Sequence, residues 1–482
     1  MLEEAGFTAT GRQLENESTT VANPLPEQHG KSGATAPGFG GSILAIAGLL
    51  SPLGGDLHFG PIMASAPAST AHPNDHAVDH NADHSADHSA DHSADHSADH
   101  RADHRADRSS ATGDGAAREP ARAAVVGLGG ISQEHLAYLS GRTQLGDVSD
   151  KVSLAAVCDL SPAATRYAAS TYGASASYTE LDELLAAEQP GVVHVLTPPA
   201  SHHPIVSACL EAGAHVICEK PITATRHELD ELLSVADAHD RQLMESHNYR
   251  FNQAIVRIRE AIDRGELGAV REVEIRISLP VTDASGRFGD PNLPSPIHEM
   301  PAGVIHDFTT HFAYLLLHLA PDVAFDLVTA HWNNHAGISF FRYDDLDATL
   351  IGAGPDGSVH ARLRFDARCA PDTFTVVVRG SDGLAETDLF HPYLRLVVPR
   401  PGGQKLAPIV NHVVNGTNLV GAGFRNFGRK LLQVGPYEGL HRMLDATYDA
   451  LANDEKLPIR REEMTAASDL VDRLVAAERS AE

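Results

Sequence analysis

Two pairs of side chains in this 482-residue sequence have types and spacing suited to proton transfer or to binding a polar ligand. Glu219 and Lys220 follow the apolar run "AHVIC", so two opposite charges stand at the end of a predicted buried strand. Asp307 and His311 lie four residues apart in "VIHDFTTHFAYLLLHL", which places them on one face of a predicted helix, with Cβ atoms roughly 5–6 Å apart. A polar line along so apolar a helix indicates that it faces a cleft.

A glycine-rich turn precedes these residues in the chain. "AAVVGLGGIS" places Gly127, Gly129 and Gly130 between a predicted strand and a predicted helix that begins near Ile131. Gly127 permits a tight turn, and Gly129 lets the backbone approach a pyrophosphate at the helix N-terminus. Asp159 ends the next strand, where a carboxylate accepts hydrogen bonds from a ribose 2′-hydroxyl and repels a 2′-phosphate. The pattern predicts a dinucleotide site with NAD favoured over NADP, and we include Ile131 in it.

The surrounding elements alternate in a way that predicts the fold class. Between residues 119 and 247, apolar runs of strand length alternate with helical segments, which indicates a parallel sheet covered on both faces. After about residue 270, strands that alternate apolar with polar residues indicate a sheet with one wet face. Helices are predicted near residues 421–452 and 461–479, and a loop is predicted at residues 411–423. Ser161 and the capping-box pair Thr225 and Glu228 predict helix starts, and "SDG" at residues 381–383 predicts a hairpin turn. The sequence therefore predicts an α/β domain of Rossmann type at 119–247 and a second, α+β domain at 248–482.

The N-terminal residues 1–118 have a different composition, with a four-residue repeat, "ADHSADHSADHS", rich in histidine and aspartate. A repeat whose only apolar residue is alanine cannot bury enough surface to fold, so we predict a disordered tail. Its histidines could bind divalent metal ions loosely, or the tail could simply be solvated. "SILAIAGLL" is too short to span a membrane, although a signal peptide is an alternative.

Charge and cysteine usage limit the partners. A net charge of −27 disfavours nucleic acid, and the lack of a long apolar run argues against a membrane partner. Four widely spaced cysteines, read as reduced core residues, favour a cytoplasmic location.

From residue 119 onward, "VVGLGGIS", "VLTPPASHH", "AGAHVICEKP" and "GVIHDFTTH" occur in an order that resembles the glucose-fructose oxidoreductase, inositol dehydrogenase and rhizopine-catabolism (Gfo/Idh/MocA) family. The resemblance implies a Rossmann domain followed by an open, mainly antiparallel sheet, with the active site between them. Thr309 and Tyr314 depart from the residues that the family commonly has, which puts the shape of the substrate pocket in doubt.

By the same resemblance, the expected catalytic residues are Lys220, Asp307 and His311. At the cofactor site, Glu219 is expected to contact the nicotinamide ribose, and Lys220 is expected to contact the substrate hydroxyl beside it. Thr197 and Pro198 are expected to line the nicotinamide path. His202 is assigned to the cofactor site, with a structural role as the alternative.

The resulting functional hypothesis is an NAD-dependent sugar or polyol dehydrogenase. His311 takes a proton from a sugar, cyclitol or nucleotide-sugar hydroxyl, Asp307 orients the imidazole, and Lys220 polarises the oxygen while hydride leaves for nicotinamide; no metal is required. Two alternatives stay open: a redox-neutral, NAD-using enzyme that cleaves glycosides, and a non-catalytic sensor of NAD or sugar. The resemblance also implies that residues 248–482 form the substrate-binding and oligomerisation domain, in a homodimer or homotetramer.

Overall fold

The computed structural model describes residues 119–283, 288–292, 295–431 and 437–478. The predicted disorder of residues 1–118 lies outside this range.

The first part of the fold is a six-stranded parallel sheet with strand order β3-β2-β1-β4-β5-β6. The chain adds β2 and β3 on one side of β1 and then crosses over to add β4, β5 and β6 on the other side. This reversal of strand order leaves a crevice beside β1, at the carboxyl ends of the strands. The strands are β1 Ala121–Val126, β2 Val152–Cys158, β3 Ala176–Tyr178, β4 Val192–Val195, β5 His215–Cys218 and β6 Leu243–Glu245. The helices between them are α1 Ser132–Leu139, α2 Pro162–Tyr172, α3 Leu181–Glu188, α4 His202–Glu211 and α5 Arg226–Ala238.

Local signals set the ends of two of these helices. Ser161 caps α2 by accepting a 3.3 Å hydrogen bond from the backbone N–H of Ala164, and Gly173 ends the helix with a positive φ of 79°. Thr225 and Glu228 form a capping box at the start of α5. Both helix starts are confirmed as the sequence predicted them.

The second sheet has seven strands in the order β13-β12-β11-β7-β10-β9-β8, and its neighbours are antiparallel except for the pair β7 and β10. One face packs on helix α7, Val304–Leu319, and the other carries charged side chains such as Arg362 and Asp347. The "SDG" segment turns the chain between β11 and β12, as predicted. The strands are β7 Val270–Ser278, β8 Ala324–Asn333, β9 Asp345–Gly354, β10 Gly357–Asp366, β11 Thr373–Gly380, β12 Leu384–Asp388 and β13 Arg395–Val397, and helix α6 spans Gln253–Asp263.

Three helices close the chain: α8 Gly403–Leu431, α9 Glu438–Ala452 and α10 Arg461–Glu478. The expectation of a loop at residues 411–423 was wrong, because α8 runs through this segment and starts well before residue 421. Asn415 of this segment binds the neighbouring strand, because its side chain pairs with both backbone groups of Leu396 in β13.

The closing helices contribute to both hydrophobic cores. Leu440, Met443, Leu444 and Tyr448 of α9 are buried in the core of the parallel sheet, whereas Leu470 and Leu474 of α10 are buried in the core of the second sheet. The domain boundary predicted at residues 247/248 did not anticipate that α9, from the C-terminal part of the chain, packs in the first core.

Two expectations from composition concerned the burial of the cysteines and the absence of a membrane span. Cys158, Cys209 and Cys218 are buried, as expected, but Cys369 is exposed, so it is not the core residue that the sequence suggested. Within the described ranges, each helix is too short or too polar to cross a membrane.

Buried histidines predict that the protein loses stability as the pH falls. Burial lowers the pKa of His306 to about 4 and, with help from Arg250 and Arg259, that of His318 to about 3. The unfolded chain binds these protons near pH 6.5, so below that pH it binds more protons than the folded chain. We expect the free energy of unfolding to fall by roughly 3 kcal/mol between pH 6.5 and 5.0 from these two groups, and by more if other buried histidines contribute.

Urea unfolding across this pH range measures the effect. His318→Gln should remove about half of that two-histidine contribution, whereas His227→Gln, at an exposed histidine, should leave the pH dependence unchanged. A free energy of unfolding that is flat from pH 6.5 to 5.0 would contradict this prediction.

Candidate active site

Glu219 and Lys220 lie at the carboxyl edge of the parallel sheet. They follow β5 directly, and the Glu219 N–H donates a 2.9 Å hydrogen bond to the carbonyl of Val195, the last residue of β4. The peptide bond between Lys220 and Pro221 is cis. The two charges are therefore positioned where the neighbouring strands β4 and β5 both end.

The glycine-rich turn lies at the same edge. Gly127 has a φ of 92°, and a Cβ there would be 2.7 Å from the backbone of Leu196 and Thr197, so only glycine fits between the two strand ends. A Cβ on Gly129 would meet nothing within 4 Å, which leaves open space above the turn. Gly130 and Ile131 lead into the N-terminus of α1. The open space and the helix N-terminus suit a pyrophosphate.

Asp159 is joined to this turn by hydrogen bonds. Its Oδ2 accepts a 2.8 Å bond from the N–H of Leu128, and its Oδ1 accepts a 2.8 Å bond from the N–H of Ser161. The carboxylate thus lies beside the glycine-rich turn, although Leu128 and Asp159 are 31 residues apart in sequence.

Thr197, Pro198 and His202 form the neighbouring strand end. Both ring nitrogens of His202 approach backbone carbonyl oxygens, Nδ1 that of Pro221 at 2.9 Å and Nε2 that of Thr197 at 2.8 Å. Burial lowers the pKa of His202, although both carbonyl contacts favour the protonated ring. The side chain is fully buried, and it ties the turn after β4 to the turn after β5.

Lys220 reaches across to helix α7. Its Nζ lies 2.8 Å from Oδ2 of Asp307 and 3.2 Å from the Asp307 carbonyl oxygen. The two side chains are only 14% and 12% exposed. This ion pair joins the edge of the parallel sheet to the helix that covers the second sheet.

His311 has a different partner from the one expected. Its Nδ1 lies 2.8 Å from the Tyr314 hydroxyl, while the Asp307 carboxylate binds Lys220. The Tyr314 hydroxyl also lies 3.2 Å from Oδ1 of Asn248 and accepts a bond from the N–H of Tyr249. Helical spacing placed Asp307 and His311 on one face, but it could not show that Lys220 would take the carboxylate.

The pKa of His311 lies well below its ordinary value. Burial is the main cause, and the positive charge of Lys220 and the ring of His247 add to it. At neutral pH the imidazole is therefore uncharged and has one nitrogen lone pair to accept a proton.

A buried chain of polar side chains behind Glu219 was missed in the sequence. The Glu219 carboxylate lies 3.5 Å from Nε2 of His135, whose Nδ1 lies 2.8 Å from Nδ1 of His194. His194 Nε2 in turn lies 2.7 Å from the Tyr448 hydroxyl in α9. If both histidines are neutral, the Tyr448 hydroxyl donates to Nε2 of His194 and the Nδ1–H of His194 donates to Nδ1 of His135. The Nε2–H of His135 then points toward the Glu219 carboxylate. The signal was a histidine inside the buried strand "VVHV".

This chain affects the charge of Glu219. Burial by itself would raise the pKa of the carboxyl, but contacts with His135, Lys220 and Ser246 outweigh burial and lower it. Glu219 is therefore an anion at neutral pH, able to accept hydrogen bonds from hydroxyl groups.

Comparisons with known proteins indicate the family of the nucleotide-binding part. Residues 121–247 match the family described as "Oxidoreductase family, NAD-binding Rossmann fold" (GFO_IDH_MocA). The D-glucoside 3-dehydrogenase of Escherichia coli is 30% identical over 31% of this chain and 41% of its own length. The inositol 2-dehydrogenase of Rhizobium meliloti is 29% identical over 39% of this chain and 52% of its own length. The chain thus spans about half or less of the length of these two relatives.

Solved structures agree in fold over a longer stretch. A putative myo-inositol dehydrogenase from Sinorhizobium meliloti superimposes with a TM-score of 0.55 at 21% identity, covering 74% of this chain and 98% of that chain. At this identity the likeness concerns the fold alone, and it includes both sheets of the architecture predicted from the sequence.

Proposed function

Because this chain belongs to the GFO_IDH_MocA oxidoreductase family, we propose that it transfers hydride between a hydroxyl group of a sugar, cyclitol or nucleotide sugar and nicotinamide. The observation that carries this proposal is the Lys220–Asp307 pair, 2.8 Å apart, at the sheet edge that also holds the glycine-rich turn. A lysine there can reach a hydroxyl that lies over the end of the parallel sheet.

The described residues fit NAD. Gly127, Gly129, Gly130 and Ile131 would hold the pyrophosphate, and Asp159 the ribose on the adenine side. Thr197, Pro198 and Glu219 would lie along the nicotinamide half, with His202 holding the strand ends in place. When bound, NAD supplies the hydride acceptor.

The proton of the substrate hydroxyl goes to His311. The Tyr314 hydroxyl can donate its hydrogen to Oδ1 of Asn248 and accept one from the Nδ1–H of His311. In that tautomer the Nε2 of His311 carries the lone pair, so Nε2 acts as the base. Tyr314 therefore takes the orienting role first assigned to Asp307. Asp307 instead fixes the Lys220 ammonium, which stabilises the developing alkoxide.

Two relatives support the substrate class, since one is a D-glucoside 3-dehydrogenase and the other an inositol 2-dehydrogenase. A cytoplasmic location and a homodimer or homotetramer complete the proposal.

The test follows reduced-cofactor absorbance with the full chain, NAD or NADP, and a panel of polyols, sugars and nucleotide sugars. Sustained reduction of NAD by one panel member supports the dehydrogenase and identifies its substrate. Binding of NAD without net reduction, but with cleavage of a glycoside, would favour the redox-neutral enzyme; binding without either reaction would favour a sensor.

Asp159 should determine the choice between the two cofactors. We expect Asp159→Asn to raise the KM for NAD only a few-fold, because the amide keeps one acceptor oxygen, but to relax discrimination against NADP about tenfold by removing the negative charge. Asp159→Ala should raise the KM for NAD more, since the bonds to Leu128 and Ser161 also disappear. Equal discrimination by wild type and Asp159→Asn would remove Asp159 from the cofactor site.

A further inference from the structure

Helix α8 exposes an apolar surface that nothing in the proposed reaction uses. Nine of the fourteen large apolar side chains that are exposed in the described part of the chain lie on this one helix. Leu406 is 55% exposed, Phe424 73% and Leu431 71%. The nine are Leu406, Ile409, Val410, Val413, Leu419, Val420, Phe424, Phe427 and Leu431. We call them the α8 apolar surface.

Most of these side chains share one face of the helix. Val410, Val413, Val420, Phe424 and Phe427 follow one another at steps of three, four or seven residues, which is the spacing of a single helical stripe. Such a stripe ordinarily packs against the core of its own protein.

In α8 the opposite, polar face packs against the protein instead. Asn411 is buried and donates to the carbonyl of Val398 at 2.9 Å, and Asn415 binds the N–H and the carbonyl of Leu396 at 2.9 Å each. Asn426 donates to the carbonyl of Pro392. The helix is thus held by amide hydrogen bonds on its inner side and presents its apolar side outward, where contact with water is unfavourable.

The charges on α8 differ from those of the rest of the protein. Its 29 residues contain two lysines and two arginines and not one aspartate or glutamate, within a chain whose net charge is −27. Around the helix axis, Lys405 and Lys430 lie about 100–120° to one side of Phe424, and Arg425 lies about 100° to the other. Cations therefore border the apolar stripe on both sides.

This combination selects one kind of partner. We propose that α8 lies in the surface of a lipid bilayer containing anionic headgroups, with its apolar surface among the acyl chains and Lys405, Arg425 and Lys430 reaching the phosphates. The proposal departs from the expectation that the protein has no membrane partner. It concerns attachment to a surface and not a membrane span, and it is independent of the proposed reaction.

Two other occupants fit less well. A second α8 would bring cations beside cations, with no acidic side chain on either helix to pair with them. The apolar run "SILAIAGLL" at residues 42–50 has nine residues, too few to cover the apolar side of α8, which has 29.

Flotation of the full chain with vesicles tests the proposal. We expect the protein to float with vesicles of phosphatidylcholine and phosphatidylglycerol, to bind phosphatidylcholine vesicles less, and to lose part of its binding at high salt. The double variant Phe424→Glu, Phe427→Glu should lower partitioning at least about tenfold. Leu160→Glu is the matched control, because Leu160 is 89% exposed but lies outside α8 and should leave partitioning unchanged.

A second variant separates charge from apolar contact. Lys405→Glu, Lys430→Glu should weaken binding to the anionic vesicles while thermal unfolding stays as in the wild type. Absence of vesicle binding, or binding that both double variants retain, would overturn the proposal. If sedimentation shows instead a dimer that Phe424→Glu, Phe427→Glu dissociates, without vesicle binding, the α8 apolar surface belongs to a second copy and the proposal fails.

Discussion

Lys220→Ala is expected to lower kcat at least about 100-fold while leaving the affinity for NAD nearly unchanged. The ammonium stabilises negative charge that develops on the substrate oxygen only during the reaction, so its loss affects turnover more than binding. A factor of 100 corresponds to about 2.7 kcal/mol of transition-state stabilisation. Asp307, which is 12% exposed and pairs with this lysine, loses its partner in the variant. Steady-state kinetics and calorimetric titration with NAD measure the two effects.

Lys151→Ala provides the matched control. Lys151 also forms short ion pairs, 2.7 Å to Asp445 and 2.8 Å to Asp449, but it lies away from the strand ends of the site. Its variant should keep the wild-type kcat. If Lys220→Ala turns over substrate as fast as Lys151→Ala does, Lys220 has no role in the chemistry.

His311→Ala is expected to have an effect of similar size, at least about 100-fold on kcat, because a positioned general base typically contributes 10²- to 10⁴-fold. The affinity for NAD should again be preserved. Tyr314→Phe removes the hydroxyl that contacts Nδ1 but leaves the imidazole in place, so it should cost less than His311→Ala. Asp307→Asn completes the comparison by testing the ion pair apart from the base.

The pH dependence distinguishes a base from a packing residue. Burial holds the pKa of His311 well below 6.5, so the base is unprotonated from neutral pH down through pH 6.5. We therefore expect no acid limb from this group in kcat/KM between pH 8 and 6.5. In Tyr314→Phe the acid limb of kcat/KM, which lies below pH 6.5 in the wild type, should shift, because the hydroxyl that fixes the His311 tautomer is gone. Retention of full activity by His311→Ala would contradict the assignment of the base.

The parts of the fold that sequence reasoning captured were those with local causes. The parallel sheet followed from apolar runs that alternate with capped helices, and the start of α2 followed from Ser161 and Pro162 alone. The position of Lys220 at the active-site edge could also be predicted, because it follows a strand and the carboxyl ends of parallel strands lie along one edge of the sheet. Family resemblance then connected this edge with Asp307 and His311.

What sequence reasoning missed depends on contacts between distant segments. That Lys220 binds Asp307, and that His311 binds Tyr314, is decided by how α7 lies against the strand ends. The helical spacing of Asp307 and His311 is compatible with either pairing. The loop predicted at residues 411–423 is instead part of α8, where Asn415 binds Leu396 in β13 and Asn411 binds Val398 next to that strand.

The burial of α9 in the first core has a consequence for synthesis on the ribosome. Tyr448 completes the polar chain to His194 in β4, and its neighbours Leu440 and Leu444 complete the apolar packing of the same sheet. At about 5–20 residues per second, residues 248–439 take on the order of 10–40 s to emerge after the last parallel strand. During that interval the part of the parallel sheet around His194 lacks the packing that α9 later provides.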